Sequence, residues 1–564
     1  MSSEHLGILA VFIFAAAVMI LILKENRNQR KQRLERINNM WGNTPKREYS
    51  MEELAALADY VRRKNGENLA VDDITWNDLN MNRVYERMNH CMSACGDEYL
   101  YEALRMPAVD ETVLDERERL FSFFDSHPKE RVCIQEILDE IGRIRDTSIT
   151  DCVRTIREAP TKNAKKYVFF SISALCNIVF LFLWPVLGLL LFLGFLVINV
   201  VIHSKESDEM DVYLKSLSRI LKVIRTAQKL GKMKIPELSD YLNRLREESC
   251  KLKGISKKCL TLIHARSMDG DITNMISSYF NAFFLLDFIS FSSVICEVKQ
   301  NYGRIEQIIR DLGLLDYAVS VASYRKELPY YCKPVFLSPK CQNSSTMNVQ
   351  DLYHPLLQDP VANTVYATGG ILITGSNASG KSTFLKSIGV NAILSQAIHT
   401  SMSHSYQGAM YHVMTSMALR DNIENGESYY IVEIRSLKRI LDQSKRKEPL
   451  LCIVDEVFRG TNTIERIAAS SQVLSFLCKP QILCMAATHD IELTYILEDL
   501  YHNYHFEERI ADQNVKFDYL LKEGRAKSRN AIALLTVMGY DSEIVEGAKK
   551  TVDRFEKEGI WKRN

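Results

Sequence analysis

The stretch GILITGSNASGKST, which begins at Gly370, constrains the fold of this chain more than any other segment. An apolar run ending at Thr374 leads into G-x-x-x-x-G-K-S, and a helical pattern follows as far as Gln396. A strand, a glycine turn and a helix at this spacing bring backbone N–H groups and a helix N-terminus to one point. That point attracts phosphate oxygens, so the segment predicts a phosphate-binding loop. A plain Gly/Ser turn before a helix is the alternative, and the strand and helix on either side argue against it.

The loop predicts ATP and Mg²⁺ as ligand and cofactor. Lys381 can reach the outer phosphates, and the Ser382 hydroxyl suits a magnesium ion that bridges them. The predicted phosphate-binding residues are Gly375, Ser376, Asn377, Ala378, Ser379, Gly380, Lys381, Ser382 and Thr383.

A second apolar run, Leu450–Val454, ends in two acids, Asp455 and Glu456. Asp455 at the end of a strand can hold Mg²⁺ through water, so Ser382 and Asp455 are the predicted metal ligands. Glu456 can orient and polarise an attacking water, which makes it the first predicted catalytic residue. Beside the glycine loop this pattern indicates a nucleotide hydrolase.

A third apolar run, Ile482–Ala487, ends at Thr488-His489. His489 can sense a terminal phosphate by hydrogen bond and is the second predicted catalytic residue, while a structural histidine is the alternative. Between the two earlier motifs, Gly426 and Ser428 precede an amphipathic helix and could form another phosphate-facing N-terminus. In ATPases of the ABC type such a loop caps the ATP of the partner subunit, so Gly426 and Ser428 are the predicted signature loop. Because the chain carries one set of motifs, we expect a homodimer with shared sites.

Leu6–Leu23 is apolar and uncharged, and as a helix it would span ~27 Å, about the thickness of a bilayer core. A cleaved signal peptide is the alternative, but no basic region precedes the run. Basic residues follow it, so we expect the N-terminus outside and the protein body in the cytoplasm, at the cell membrane. These residues either hold lipid headgroups or form a solvated linker.

Tyr167–His203 is the second membrane candidate, and it is too long for one span. Trp184-Pro185 offers a turn, so a helical hairpin is predicted, which also keeps the ATP site on the cytoplasmic side. Tyr279–Val298 is apolar but carries Asp287, and it is predicted to be a buried soluble helix. Long helices are expected from Asp208 to Tyr331.

Composition sets limits on the remaining interpretations. The 71 basic and 70 acidic residues leave a net charge of +1, which does not indicate a nucleic-acid binder as a whole. A small cluster at Lys251, Lys253, Lys257 and Lys258 could contact nucleic acid or lipid phosphate, although a solvated helix face is the simpler interpretation. The 13 cysteines lack paired spacing and predict reduced thiols in the cytosol, without a disulfide framework or zinc site.

Several segments together resemble the MutS mismatch-repair ATPase family. The glycine loop is similar to that family's TGPNxSGKST, Asp455–Thr463 to its DEIGRGTST, and Ala487-Thr488-His489 to its ATH. Tyr353-His354-Pro355-Leu356 resembles the family's RHP segment, which implies that His354 lies in the adenine pocket. The helices of Asp78–Arg117 resemble its lever and core. The resemblance implies an ATP-driven dimeric switch.

The chain also departs from the family pattern. We expect neither a mismatch-reading domain nor a DNA-clamp insertion, and a membrane hairpin interrupts the lever region. Tyr429 stands where the family usually has Thr. Mismatch recognition therefore does not carry over from the resemblance.

The expected fold class is multidomain: a mainly α-helical lever and core region with transmembrane helices, followed by an α/β P-loop NTPase domain. The expected domains are a transmembrane helix (1–23), a basic juxtamembrane linker (24–70), the first helical core part (71–160), a transmembrane hairpin (161–204), the second core part (205–335) and the ATPase domain with a helical tail (336–564).

Three functions are compatible with these features. The first is a membrane-anchored, MutS-like ATPase that moves helical levers and passes motion to the hairpin or to an unidentified protein partner. The second is a membrane-tethered DNA clamp related to mismatch repair. The third is an ABC-type transporter, which three spans without intramembrane charge do not favour.

Overall fold

The computed structural model describes most of the chain and divides it into two compact units. The described residues are 3–66, 69–160, 164–266, 284–337, 345–376, 379–417, 429–458, 461–511, 514–526, 532, 535–536 and 538–559. One unit comprises residues 1–64, 88–102 and 119–327 and is helical; the other comprises residues 65–87, 103–118 and 328–564 and contains both sheets.

Helices form the first part of the chain. In chain order they are α1 (Ser3–Met40), α2 (Met51–Asn65), α3 (Asp73–Asp78), α4 (Met81–Met88), α5 (Ala94–Arg105), α6 (Glu111–Ser126), α7 (Pro128–Leu138), α8 (Ile149–Glu158), α9 (Ala164–Leu183), α10 (Pro185–Leu230), α11 (Ser239–Lys251), α12 (Lys253–Arg266), α13 (Leu286–Gln300) and α14 (Tyr302–Glu327). Local sequence signals explain their ends. At α2, Glu53 N–H donates to Ser50 Oγ and Ser50 N–H donates to the Glu53 carboxylate, both at 3.1 Å, which is a reciprocal capping box.

The predicted hairpin is present as α9 and α10, which are separated at Trp184 because Pro185 has no N–H to continue α9. Among the described residues, Ala164–Leu183 and Pro185–His203 are long and apolar enough to cross a membrane, by length and composition alone. Their large apolar side chains are mostly exposed, as with Phe182 at 82%.

The predicted first span lies within α1, whose side chains over residues 3–18 are outside the described part. The helix continues through the basic segment to Met40. There Arg30 contacts Glu136 and Arg36 contacts Asp139, each at 2.6 Å. These two arginines are therefore engaged by acids of the α7 region.

A helix is present over part of Tyr279–Val298, as predicted. Residues 279–283 lie outside the described part, and residues 286–298 belong to α13, where Phe288 and Val294 are buried. Asp287 is also buried, and its Oδ2 lies 3.2 Å from Nε2 of His203 in α10.

The second part of the chain is α/β. Its elements are β1 (Val335–Phe336), β2 (Thr346–Leu352), β3 (Asn363–Thr368), β4 (Gly370–Thr374), α15 (Lys381–Ile398), β5 (Ser405–Gly408), β6 (His412–Ser416), α16 (Tyr429–Gln443), β7 (Leu450–Asp455), α17 (Thr463–Leu477), β8 (Ile482–Ala487), α18 (Ile491–Ile496), β9 (Tyr501–Ala511), β10 (Asn514–Glu523) and α19 (Ser542–Glu558). The larger sheet has the order β10-β9-β4-β8-β7-β6, and the smaller one has the order β1-β5-β2-β3.

In the larger sheet, all strands from β9 to β6 pair in parallel, and only β10 is antiparallel to its neighbour. Every residue of β4, β7 and β8 is buried. Continuous apolar runs are typical of parallel strands covered on both faces. The three strands expected from the sequence are therefore confirmed.

Residues 65–87 and 103–118, which were expected in the linker (65–70) and in the first helical core part, belong to the α/β unit. Trp76 and Leu79 are buried there, and Gly389 of α15 leaves room for Leu79, since a Cβ would lie 2.9 Å from it. Thr415 N–H also donates to Thr75 Oγ1 at 3.2 Å. Helical periodicity identifies a buried face but not the surface that covers it. The sequence therefore predicted the helices of these two segments but not the unit to which they belong.

The first prediction concerns Glu98 of α5, which accepts hydrogen bonds from Ile149 N–H and, at 2.7 Å, from Thr150 Oγ1. Burial raises the pKa of Glu98 from 4.5 to about 8. The folded state therefore prefers the protonated acid, and the stability present below pH 4.5 is lost as pH rises through about 8. We expect the melting temperature to fall by about 5 °C or more between pH 6 and pH 9.

Glu98→Gln should remove most of that fall, measured by circular dichroism in detergent. Glu52→Gln is the matched control, because Glu52 is exposed on α2. Unchanged pH dependence in Glu98→Gln would contradict the assignment.

Candidate functional site

Gly375 and Gly380 shape the loop between β4 and α15. Their φ angles are +148° and +109°, and Gly380 is the N-cap of α15. A Cβ on Gly375 would lie 2.9 Å from the carbonyl oxygen of Phe506 and 3.0 Å from Ser379 Oγ. Both backbone conformation and space therefore require glycine at position 375.

Lys381, the first residue of α15, is 5% exposed. Its Nζ donates to the carbonyl oxygens of Gly375 and Ser376, both at 2.7 Å. A buried ammonium group needs such partners, and a phosphate oxygen is a stronger acceptor than a neutral carbonyl. The lysine is therefore held at the centre of the loop by groups that an anion can replace.

The other loop residues have distinct environments. Ser376 Oγ donates to the Glu508 carboxylate, and Ser379 Oγ is buried without a hydrogen-bond partner among the described residues. Ser382 and Thr383 are exposed at the start of α15. Outside the described residues lie Asn377 and Ala378 of the loop, and Gly426 and Ser428 of the predicted signature loop.

Asp455 is the last residue of β7 and pairs in register with Ala487 of β8. It is 7% exposed, and its Oδ1 is buried without a hydrogen-bond partner in the described part of the chain. A buried, unsatisfied carboxylate oxygen is costly, and a cation at this point would satisfy it. Among the described residues no group of three or more His, Cys, Asp or Glu could hold a metal. Any cation here would therefore need ligands such as Ser382, water or phosphate.

Glu456 and His489 form a pair at the ends of β7 and β8, with Glu456 Oε1 2.8 Å from His489 Nε2. The backbone N–H of Glu456 donates to Ala487 O at 3.0 Å. The φ angle of Glu456 is +59°, a conformation that costs a non-glycine residue on the order of 1–3 kcal/mol. Glu456 therefore has a strained backbone conformation, and its carboxylate lies beside the histidine.

Neighbouring side chains support this turn. Arg466 of α17 makes a two-point ion pair with Asp490, at 2.6 and 2.9 Å, directly after His489. The N–H of Phe458 donates to the Glu433 carboxylate of α16. The contact from α16 therefore fixes the turn after Asp455, and the contact from α17 fixes the turn after β8.

A cavity of about 500 Å³ opens beside the loop. Its polar wall includes Ser376, Lys381, Ser382 and Glu456. A second, mainly apolar part of the wall comprises Leu352, His354, Leu357, Val361, Asn363, Phe506 and Tyr519, and it also includes Asp359. A charged end and a largely apolar end suit a ligand that combines phosphate with an aromatic ring.

His354, expected near adenine, lies in the second wall. Its Nδ1 accepts the Leu356 N–H at 3.2 Å. Burial, helped by the charge of Lys386, lowers the pKa of His354 to about 4, so the ring is neutral at physiological pH. A neutral imidazole can contact a base without placing charge beside it.

Asn363, Phe506 and Tyr519 were missed by the sequence analysis. Asn363 Nδ2 donates to Tyr519 O at 3.0 Å, and Leu521 N–H donates to Asn363 Oδ1 at 2.7 Å. Tyr519 sits at an irregular point of β10 with φ +54°. No sequence motif marks these residues, because strand pairing brings them to the loop.

The fold and the site together define an α/β domain with a glycine loop, a strand-end aspartate and a Glu–His pair on one sheet edge. Residues 371–556 match the family model of MutS domain V. The resemblance to the MutS family that the motifs predicted is therefore confirmed, over the C-terminal part of the chain.

Individual relatives agree with this match. The DNA mismatch repair protein MutS of Aquifex pyrophilus is 28% identical over 276 residues, which cover 46% of this chain and 31% of that protein. Human MutS protein homolog 4 is 28% identical over 276 residues, covering 46% of this chain and 28% of that protein. MutS of Thermotoga maritima is 27% identical over 274 residues, covering 47% and 33%. The chain spans about a third of the length of the curated relatives it matches.

Gly375→Ala should destabilise the α/β unit by ~1–3 kcal/mol, because a methyl group would meet the Phe506 carbonyl. Gly369→Ala is the matched control: its φ is +108°, and a Cβ added there would have nothing within 4 Å. Thermal unfolding should show a clearly larger loss for Gly375→Ala. Equal losses would mean that φ alone requires the glycine.

Proposed function

We propose that this chain is a membrane-anchored, MutS-like ATPase that hydrolyses ATP at sites shared by two copies. The observation that carries the proposal is the meeting of three groups at one sheet edge. These are the glycine loop with Lys381, the unsatisfied carboxylate of Asp455, and the Glu456–His489 pair. Phosphoryl transfer depends mainly on positioning and electrostatic stabilisation, which such an edge supplies.

The residues present fit ATP and Mg²⁺. The unpartnered Oδ1 of Asp455 is suited to a cation, and the exposed Ser382 hydroxyl can join it as a ligand. When bound, Mg²⁺ supplies neutralisation of the charge on the phosphate oxygens. The apolar wall around His354 suits the base of the nucleotide.

The protein's own residues would bind the phosphates and orient the attacking water. Lys381 would leave the carbonyl oxygens of Gly375 and Ser376 and donate to the outer phosphates. Glu456 would orient and polarise the attacking water. His489, held 2.8 Å from Glu456, would position that carboxylate and sense the terminal phosphate.

We infer a homodimer from the single set of motifs in the chain. In this arrangement Gly426 and Ser428 of one copy complete the site of the other, so that ATP joins the two copies. Hydrolysis would then release them. Such a cycle converts nucleotide state into movement of the helical levers.

The membrane part of the proposal rests on the hairpin α9–α10. Its apolar side chains are exposed over two helices of membrane-spanning length, which is unfavourable in water. Helix α10 has 46 residues and continues from the hairpin to Leu230 without a break, a length of ~69 Å. One rigid helix could therefore carry motion between the helical unit and the cell membrane, with the ATPase body in the cytoplasm.

A membrane-tethered DNA clamp is the second candidate, favoured by the names of the mismatch-repair relatives. The lysine cluster around α12 gives it limited support, because Lys251 pairs with Glu248 at 2.7 Å and Lys258 pairs with Glu297. Duplex binding that weakens steeply with salt would support this candidate. No binding at low salt would remove it.

Lys381→Ala should lower ATP affinity at least ~100-fold, because the charge-assisted contacts to phosphate are lost. Glu456→Gln should keep ATP binding, lose ~100-fold or more in turnover, and accumulate as ATP-bound dimers. Fluorescent-nucleotide titration, phosphate release and light scattering measure the three effects. Lys438→Ala is the control for Lys381→Ala, since Lys438 is exposed and pairs with Asp442. Normal turnover of Glu456→Gln would contradict its role.

Membrane topology gives a separate prediction. A cysteine introduced by Trp184→Cys, at the hairpin turn, should react with an impermeant maleimide in intact cells. The exposed native Cys133 and Cys250 should react only after permeabilisation, because they would lie in the cytoplasm. Labelling of these two cysteines in intact cells would rule out the proposed orientation.

A further inference from the structure

Asp78, at the end of α3, contacts the end of β6 in the α/β unit. Its Oδ2 accepts the Thr415 hydroxyl at 2.6 Å and the Met417 N–H at 3.0 Å. The start of the same helix is anchored by Asp72, which caps it by accepting the Thr75 N–H at 2.9 Å. Asp78 therefore fixes the end of the short helix against the end of β6, which is the edge strand of the larger sheet, while Asp72 caps the start of the helix.

The neighbour of β6 is β7, which carries Asp455. Ser416, the last residue of β6, pairs with Val454 of β7. Met417 follows Ser416 in the chain, and Asp455 follows Val454. Asp78, which binds Met417 N–H, therefore lies one strand away from the unsatisfied carboxylate of Asp455.

The electrostatics agree with this placement. Burial raises the pKa of Asp78, the hydrogen bonds from Thr415 and Met417 and the charge of Lys386 oppose that rise, and the charge of Asp455 adds to it. The last effect means that the two carboxylates sense each other's charge. A cation at Asp455 would relieve that repulsion.

We propose that Asp78 is a positioning residue for the metal edge of the site: it fixes the end of β6 and adds a second negative charge that strengthens cation binding at Asp455. This role rests on the proposed ATP and Mg²⁺ site. The segment before α4 is far from the nucleotide motifs in the sequence, yet in this proposal it directly influences the metal site.

The test measures metal binding rather than turnover. A fluorescent ATP analogue with a β,γ-imido linkage is bound to the full-length protein in detergent, and Mg²⁺ is titrated to find the midpoint of metal-dependent binding. Asp78→Asn keeps an acceptor for Thr415 but removes the charge, and we expect its midpoint to rise about three- to ten-fold. Asp78→Glu keeps the charge and should stay within about two-fold of the wild type.

Asp73→Asn is the matched control, because it removes one negative charge from the same helix. Asp73 is 47% exposed and pairs with Arg105 at 3.0 Å, so its loss should leave the Mg²⁺ midpoint unchanged. A folded Asp78→Asn with a wild-type midpoint would overturn the proposal. If Asp78→Asn does not fold, Lys386→Met is tested instead: it removes a positive charge that acts on the Asp78 carboxylate and should lower the midpoint. No shift in Lys386→Met would then overturn the proposal.

The wild-type titration distinguishes failure of the proposed ATP and Mg²⁺ site from failure of the role proposed for Asp78. If the wild type binds no nucleotide at any Mg²⁺ concentration, the proposed function fails. If it binds with a clear Mg²⁺ midpoint that Asp78→Asn does not alter, only the role of Asp78 fails.

Discussion

The complete burial of β4, β7 and β8 is the constraint on which the rest of the α/β unit depends. Parallel strands covered on both faces can carry charged side chains only where they end. The strands are adjacent in the order β4-β8-β7, so their ends form one edge. The glycine loop, Asp455 and His489 all follow directly from these ends. The polar and charged residues of the candidate site are therefore concentrated where the hydrophobic core ends.

At that edge the positively charged Lys381 and the negatively charged Asp455 have different hydrogen-bond environments. The ammonium group of Lys381 is satisfied by carbonyl oxygens of its own loop, whereas Oδ1 of Asp455 lacks a hydrogen-bond partner among the described residues. A ligand with anionic oxygens and a bound cation would give Lys381 stronger acceptors and would give Oδ1 of Asp455 a partner. The strained backbone of Glu456, held beside His489, is a further sign of an arrangement kept for function rather than stability.

The helical unit has a different organisation. Its interior is well packed, and it contains satisfied buried acids such as Asp316, which accepts hydrogen bonds from the N–H groups of Met92 and Ser93. The hairpin α9–α10 instead exposes its apolar side chains. Where the hairpin meets the rest of the unit, His203 of α10 lies against the buried Asp287 of α13. This polar contact joins the end of the apolar run in α10 to α13 of the helical unit.

The sequence alone determined the local elements whose signals lie within a few residues. These include the strand–loop–helix at Gly375–Lys381, the strand before Asp455, the capping box at Ser50 and the helix break at Pro185. Tertiary structure alone decided which distant residues meet. The pairing of Glu456 with His489, the cavity wall with Tyr519 and the contact of Asp78 with the end of β6 are examples. Local signals follow from backbone geometry and hydrophobic period, whereas these contacts depend on strand order and on which surface covers a helix, and neither leaves a mark in nearby sequence.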